Sequence, residues 1–324
     1  MNNIDNVFIT GGAGFIGSNV ADKMLNLGKN VTVYDNFSTG NRRFLEKALK
    51  NNKFSLIEGD VLDPILLEKS ITNNDFVFHF SANADVRFGL EDPKRDLEQN
   101  TIATYNVLEA MRKNNIKNIG FSSTGSVYGE ADIIPTPENA PFPIQTSLYG
   151  ASKLAGEGLI SSYCEGYNFK SWIFRFVGVL GERYTHGHLF DFYQKLKKNP
   201  LEMNVLGNGK QKKSYIYIQD CIESMIYAID KSVDNINIYN LGCDEYIEVN
   251  DSVKIISDFL KLDPKLTYSG GKKGWVGDNP FIYLDTKKIR SLGWKENNNI
   301  DTGIIKTIKW LHENQWVFEN DSKK

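Results

Sequence analysis

The sequence is poor in the features that mark several classes of protein. Of its 324 residues only three are cysteines, Cys164, Cys221 and Cys243. They are odd in number and far apart, which fits neither a disulfide framework nor a zinc site. Buried free thiols in a reducing cytoplasm are the expectation. The formal net charge is only −2, so no broad basic field invites nucleic acid. No apolar run reaches the roughly 18 residues that a membrane span needs. The opening segment, Met1 to Asn6, has neither the basic flank nor the apolar stretch of a secretory signal. Internal repeats and low-complexity linkers are absent too. His186 and His188 stand close together, but two histidines without a carboxylate or thiol at matching spacing are too few for a catalytic zinc. No metal is expected.

What the chain does have is alternation. Val7–Thr10, Val31–Tyr34, Phe54–Ile57, Phe76–Phe80, Asn118–Ser122 and Ser171–Phe176 read as six short apolar strands. Helices are predicted over 14–27, 92–114 and 147–167. Strands separated by helices imply parallel pairing, because each crossover must travel back along the sheet. Their near-continuous apolar character suits a sheet covered on both faces. The predicted fold is α/β: a Rossmann-type doubly wound parallel sheet with a smaller C-terminal substrate-binding lobe. The nucleotide-binding domain is placed at 1–175 plus about 214–240, and the lobe at 176–213 and 241–324.

Gly11-Gly12-Ala13-Gly14-Phe15-Ile16-Gly17 joins the first strand to the first helix. In that context it reads as a dinucleotide cradle. Gly11 permits the tight turn, Gly14 lets backbone approach a pyrophosphate, and Gly17 lets helix and strand pack closely. The alternative is a tight turn with no ligand. Asp35 ends the second strand, where a carboxylate accepts hydrogen bonds from a ribose diol and repels a 2′-phosphate. That favours NAD over NADP. Arg42 and Arg43 are read as solvated helix-start residues. Asp60-Val61 sits where an adenine edge can be read, or Asp60 is a plain helix N-cap.

Tyr149 and Lys153 share one face of a predicted helix, one turn apart. Tyr-x-x-x-Lys spacing also occurs at Tyr193, Tyr227, Tyr268 and Tyr283. Tyr149 is distinguished by the run of hydroxyls from Ser122 to Ser126 upstream. A free phenol titrates near ~10. A neighbouring ammonium and a cationic pyridine ring favour the phenolate. Tyr149 is thereby a candidate base toward a sugar hydroxyl, with Lys153 holding a ribose and Thr124 bonding the reacting oxygen. Thr124 reads alternatively as a satisfied strand-end hydroxyl.

These residues resemble the extended short-chain dehydrogenase/reductase superfamily, and within it the NAD-dependent sugar-nucleotide epimerases of the UDP-glucose 4-epimerase kind. The marks are Thr10–Gly17, Asp35-Asn36, Asp60-Val61, Phe78–Ala82, Asn100, Ser122–Gly129, Tyr149–Lys153, Arg175–Arg183, Gly207–Asp220 and Gly277-Asp278. Besides the glycines and Asp35, the resemblance assigns to NAD the positions Phe15, Ile16, Asn36, Ser38, Thr39, Gly40, Asp60, Val61, Phe80, Ser81, Ala82, Asn100, Ser122, Tyr149, Lys153 and Phe176. To a nucleotide-sugar substrate it assigns Arg87, Thr124, Gly178, His188, Leu189, Lys213 and Asp278. It further implies a cytoplasmic homodimer joined through the helices near 92–114 and 147–167, and a setting in polysaccharide assembly.

The related 4,6-dehydratases carry Asp-Glu after the threonine, where this chain has Gly125 and Ser126. Neither can serve as that acid or base, so dehydration is disfavoured. Gly178 and Leu180 replace the asparagine and tyrosine common in the substrate loop. Lys213 stands where an arginine usually meets the diphosphate, losing the bidentate fork. Three readings follow: a 4-epimerase, a 4-dehydrogenase that releases the keto sugar, and a non-catalytic NAD-binding sensor or scaffold.

Overall fold

The computed structural model describes residues 1, 4–86, 88–141, 143–274, 279 and 281–319. Its main sheet takes seven strands: β1 (Asn6–Thr10), β2 (Asn30–Asp35), β3 (Phe54–Glu58), β4 (Phe76–His79), β5 (Asn118–Thr124), β6 (Lys170–Phe176) and, much later, Ile236–Leu241. All pair in parallel, in the spatial order β3-β2-β1-β4-β5-β6 followed by Ile236–Leu241. The chain order reverses between β1 and β4, the place where ligands settle in such sheets.

Helices cover both faces, and among those of the first half α3 (Phe88–Glu91) and α4 (Pro93–Asp96) are single short turns between α2 (Pro64–Ser70) and α5 (Ala103–Lys113). Alternate side chains divide between two cores, since neighbours along a strand point to opposite sides. Phe8, Val77, Ile119 and Phe121 pack with α2, α5 and α6 (Leu148–Tyr167). Val7, Ile9, Phe76 and Phe78 join the other core with α1 (Phe15–Asn26) and the helix Ile218–Lys231. Burial of large apolar side chains, at roughly 1.5–3 kcal/mol each, holds these layers together.

The predicted helix over 92–114 is not uniform. Pro93–Asp96 starts it, Leu97–Ile102 is a wider π-helical turn, and α5 continues from Ala103. The Thr104 hydroxyl, in the first turn of α5, donates back to the Asn100 carbonyl of the π-helical turn at 2.6 Å. The seventh strand, Ile236–Leu241, escaped the sequence reading because Asn237 and Asn240 interrupt its apolar character. Both are buried and hydrogen-bonded.

Smaller sheets follow. Gly178–Leu180 pairs with Tyr215–Tyr217, and Lys212-Lys213 lies between Ile247-Glu248 and Phe281-Ile282. A Cβ on Gly125, just beyond β5, would stand 2.7 Å from Ile282 Cγ2. The later elements therefore reach over the C-terminal end of the main sheet.

Candidate active site

At the switch point the backbone is packed closely. Gly11 has φ +65°, and a Cβ there would lie 2.6 Å from the Ser81 backbone nitrogen. Only glycine allows β1 and β4 to converge in this way. Gly14 is the N-cap of α1 with no side-chain cap. The first-turn N–H groups, including those of Phe15, Ile16 and Gly17, are those an α-helix leaves without intrahelical partners, and with the helix dipole they suit an anion. Gly17 has a different reason from the predicted one. Its Cβ would meet Gly11 O and, at 2.8 Å, Gly12 Cα, so it packs on the turn itself rather than on the strand.

Asp35, 6% exposed, accepts from the backbone of Ala13 and of Phe37 at 2.8 Å each. Burial pushes its carboxyl up, against these two bonds. Gly40 closes this corner, because a Cβ there would stand 2.9 Å from Asp35 Oδ1. Ser38 and Thr39 are exposed on the loop between. Asn36 donates to Asp60 Oδ2 at 2.9 Å. Asp60 is not the helix N-cap: Asp63 caps α2 through Ile65 and Leu66, and Asp60 Oδ1 takes the Leu62 N–H. Val61 is buried, and its carbonyl accepts from Asn106. Arg42 pairs with Glu58 and lies over the Phe37 ring. A cradle of backbone N–H groups that side chains would fill, beside a diol-ready carboxylate, fits a dinucleotide.

Ser147 caps α6 by accepting the Gly150 N–H at 3.0 Å. This fixes the helix start, and with it Tyr149 in the first turn and Lys153 in the next. Tyr149 keeps a partly open surface while protein atoms crowd the phenol. Burial pushes its pKa up to about 12, against a hydrogen bond from the Thr124 hydroxyl that pulls it down; the charge of Asp96 adds to the rise. Lys153 is 2% exposed, with its ammonium 4.7 Å from the Phe121 ring centre. Burial lowers it to about 7, while Glu157 and Asp96 hold it up. In the protein by itself desolvation dominates the phenol and the Thr124 bond opposes it; the depression is expected from the ammonium together with a cationic pyridine ring. The other four Tyr-x-x-x-Lys pairs lie elsewhere; the phenol of Tyr193, for instance, is engaged by His312 and Gln315.

Behind this pair runs a polar network. Asn100 accepts from the Asn83 backbone and donates to Ser152 Oγ at 2.9 Å and Asp96 Oδ1 at 3.3 Å. Its amide thus faces inward. Asp96 Oδ2 is buried without a hydrogen-bond partner among the described residues. Thr104 spends its proton on Asn100 O, so its oxygen accepts from His79 Nε2, and Thr10 donates to Nδ1 at 2.7 Å. This fixes the imidazole tautomer. Burial, with Lys153 second, lowers His79 to about 3. Ser122 donates to the His79 carbonyl. Phe80 stacks on Phe78 at 5.5 Å, Ala82 is half-buried, and Phe176 pairs with Thr124 at the strand ends.

On the lobe side, a Cβ on Gly178 would meet the Tyr215 ring at 2.5 Å, so an asparagine would not fit there. The Tyr215 hydroxyl engages His188 at 2.5 Å. Burial, with Lys213 second, lowers His188 to about 3. Leu189 is fully buried, and Lys213 donates to Asn279 O at 3.0 Å. Arg87 and Asp278 lie outside the described residues. Sequence reasoning missed Asp96, Ser152 and Glu157. The last was findable, since it follows Lys153 by one helical turn.

A doubly wound sheet with this cradle and a Tyr–Lys pair over the same edge defines an enzyme class, the extended short-chain dehydrogenases/reductases. Residues 7–242 match the model of the NAD dependent epimerase/dehydratase family. A putative UDP-glucose 4-epimerase of Methanocaldococcus jannaschii is 34% identical, covering 95% of this chain and 99% of its own. A UDP-galactose 4-epimerase crystal structure aligns with TM-score 0.86 at 34% identity, over 96% of this chain and 100% of that one. The UDP-glucose 4-epimerase of Thermotoga maritima, solved with UDP-glucose, aligns with TM-score 0.86 at 29% identity, over 96% and 99%. The chain belongs to the NAD-dependent epimerase/dehydratase family, and its cofactor is NAD.

Proposed function

We propose that this chain is a 4-epimerase of a UDP-hexose, inverting C4 by way of a 4-keto sugar. The observation that carries the reading is the placement of Tyr149 and Lys153 one turn apart on α6, with Thr124 at the facing end of β5. Gly11, Gly14, Gly17 and Asp35 would hold the cofactor, which supplies the hydride acceptor and donor. Tyr149 takes the proton of the sugar's 4-hydroxyl and later returns it. A phenol at about 12 is a poor base alone, so the positive charge of Lys153 and of the oxidised cofactor has to favour its ionised form. Thr124 orients the reacting oxygen. Lys213 neutralises diphosphate, with His188 and Leu189 beside it. Gly125 and Ser126 supply no acid for dehydration, and the names of the similar proteins support epimerisation and a uridine diphosphate.

The homodimer is part of the same proposal. Leu97, Ile102 and Tyr105 on one long helix, and Leu148 and Tyr167 on α6, are large apolar side chains left exposed at 42–53%. Purified protein is incubated with NAD and UDP-glucose, UDP-galactose or UDP-N-acetylglucosamine, and the sugars are resolved by chromatography. Interconversion of 4-epimers at constant NADH is expected. A keto sugar formed in step with NADH would instead make it a dehydrogenase. Absence of any turnover would favour the sensor.

A further inference from the structure

Behind the Tyr149–Lys153 pair stands a second buried group. Glu157 follows Lys153 by one turn on α6 and is 4% exposed. Arg175 Nε donates to its Oε1 at 3.0 Å and Arg175 Nη2 to its Oε2 at 2.6 Å. The Ser123 hydroxyl also donates to Oε1. Ser123 is the residue before Thr124 and is in register with Arg175 across β5 and β6. Arg175 Nη1 continues to the Tyr128 hydroxyl at 2.7 Å and the Glu138 carbonyl at 3.1 Å. One carboxylate therefore ties α6 to β5, to β6 and to the turn that follows Thr124.

A bidentate pair of this kind is geometrically strict, yet a buried ion pair is no better for stability than apolar residues of the same volume. Its position suggests another use. Lys153 is faced by the Phe121 ring from β5, by neutral His79 from β4, by Asp96 from the helix Pro93–Asp96, and by Tyr149 and Glu157 from its own helix. Asp96 and Glu157 are the anions that act on it.

We propose that Glu157, clamped by Arg175, is a positioning residue for the Tyr149–Lys153 pair. It sets the rotation of α6 against the Thr124 end of β5 and supports the charge of the lysine. The inference rests on the catalytic reading given above and adds to it a residue that touches neither substrate nor cofactor.

The test uses the full chain loaded with NAD. Glu157→Gln keeps the bonds from Ser123 and Arg175 Nε but removes the charge. Glu157→Leu combined with Arg175→Met removes both members of the ion pair and leaves Asp96 as the anion acting on Lys153. Ser123→Ala removes one hydroxyl and carries the test if both charge variants unfold. Each folded charge variant is expected to bind NAD and to lose about tenfold or more in kcat with KM nearly unchanged, the mark of misalignment. Ser123→Ala is expected to lose kcat in the same sense by a smaller factor. In ¹³C-lysine-labelled protein, the Lys153 Cε resonance, assigned by its loss in Lys153→Arg, is expected to titrate at lower pH in Glu157→Gln than in the parent. Folded variants with parental kcat and an unmoved lysine titration overturn the proposal. The titration needs no substrate, so a parent protein that fails to turn over UDP-hexoses is a separate result.

Discussion

Asp35 Oδ2 accepts the Ala13 backbone N–H at 2.8 Å, so the end of β2 is bonded to the glycine turn that follows β1. One carboxylate shapes the cradle, and in the proposed function the same group meets the ribose. Asp35→Asn removes the charge and keeps only one of the two backbone bonds from Ala13 and Phe37, because its amide nitrogen cannot accept an N–H. The expected outcome is weaker NAD binding and a preference for NAD over NADP that narrows about tenfold, in line with the strength of hydrogen bonds to charged groups. Titration of both cofactors by fluorescence checks this. An unchanged ratio would remove Asp35 as the discriminator.

Gly17→Ala places a methyl group against the Gly11 carbonyl and Gly12 Cα. Backbone cannot yield there as a flexible side chain would. Overpacking of this type costs about 1–3 kcal/mol, and the turn that must move is the cofactor cradle. Calorimetry should show a lower melting temperature and little gain in stability on adding NAD. A variant stabilised by NAD as strongly as the parent would sink the assignment of the cradle.

Tyr149→Phe removes the proton acceptor and leaves the ring. With Thr124 and Lys153 intact, kcat is expected to fall by about 10²–10⁴, the usual contribution of a positioned acid or base. NAD binding and fold should persist. Epimer formation measured by chromatography decides, and residual turnover within tenfold of the parent would be incompatible with the role.

Lys153 carries a burial cost. Its folded value of about 7 lies below its ordinary 10.5, so between these values the unfolded chain holds the proton and the fold does not. Stability should therefore rise as pH climbs from about 7 to about 10.5. Lys153→Met should abolish turnover and remove this rise, because the residue that loses its proton on folding is gone. Denaturant titrations across this range test the slope, and a rise that persists unchanged in Lys153→Met would contradict it.

His79 acts with the same sign in an acid window. It is held neutral, with its pKa lowered from 6.5 to about 3. Its contribution is complete above 6.5 and is lost as pH falls toward about 3, because there the unfolded chain takes up a proton that the fold refuses. His79→Gln should flatten the acid limb of a melting-temperature profile over that interval. A limb that keeps its slope would place the acid lability elsewhere.

Much of this was legible in the chain. Apolar strands alternating with amphipathic helices follow from local periodicity, and so the parallel sheet could be read to within two residues at most strand ends. The glycine turn, Asp35 and the spacing of Tyr149 and Lys153 are local too. The π-turn at Leu97–Ile102 and the strand Ile236–Leu241 were not, because buried asparagines satisfied by distant partners look polar in sequence.

The order of residues by itself determined the strand–turn–helix cradle and which two side chains share a helical face, since those depend on neighbours a few positions away. Tertiary structure alone decided that Glu157, Arg175 and Ser123 meet, that Tyr215 claims the space beside Gly178, and that Tyr149 is pushed up rather than down. Each of these depends on desolvation and contact between segments distant along the chain, which no local pattern encodes.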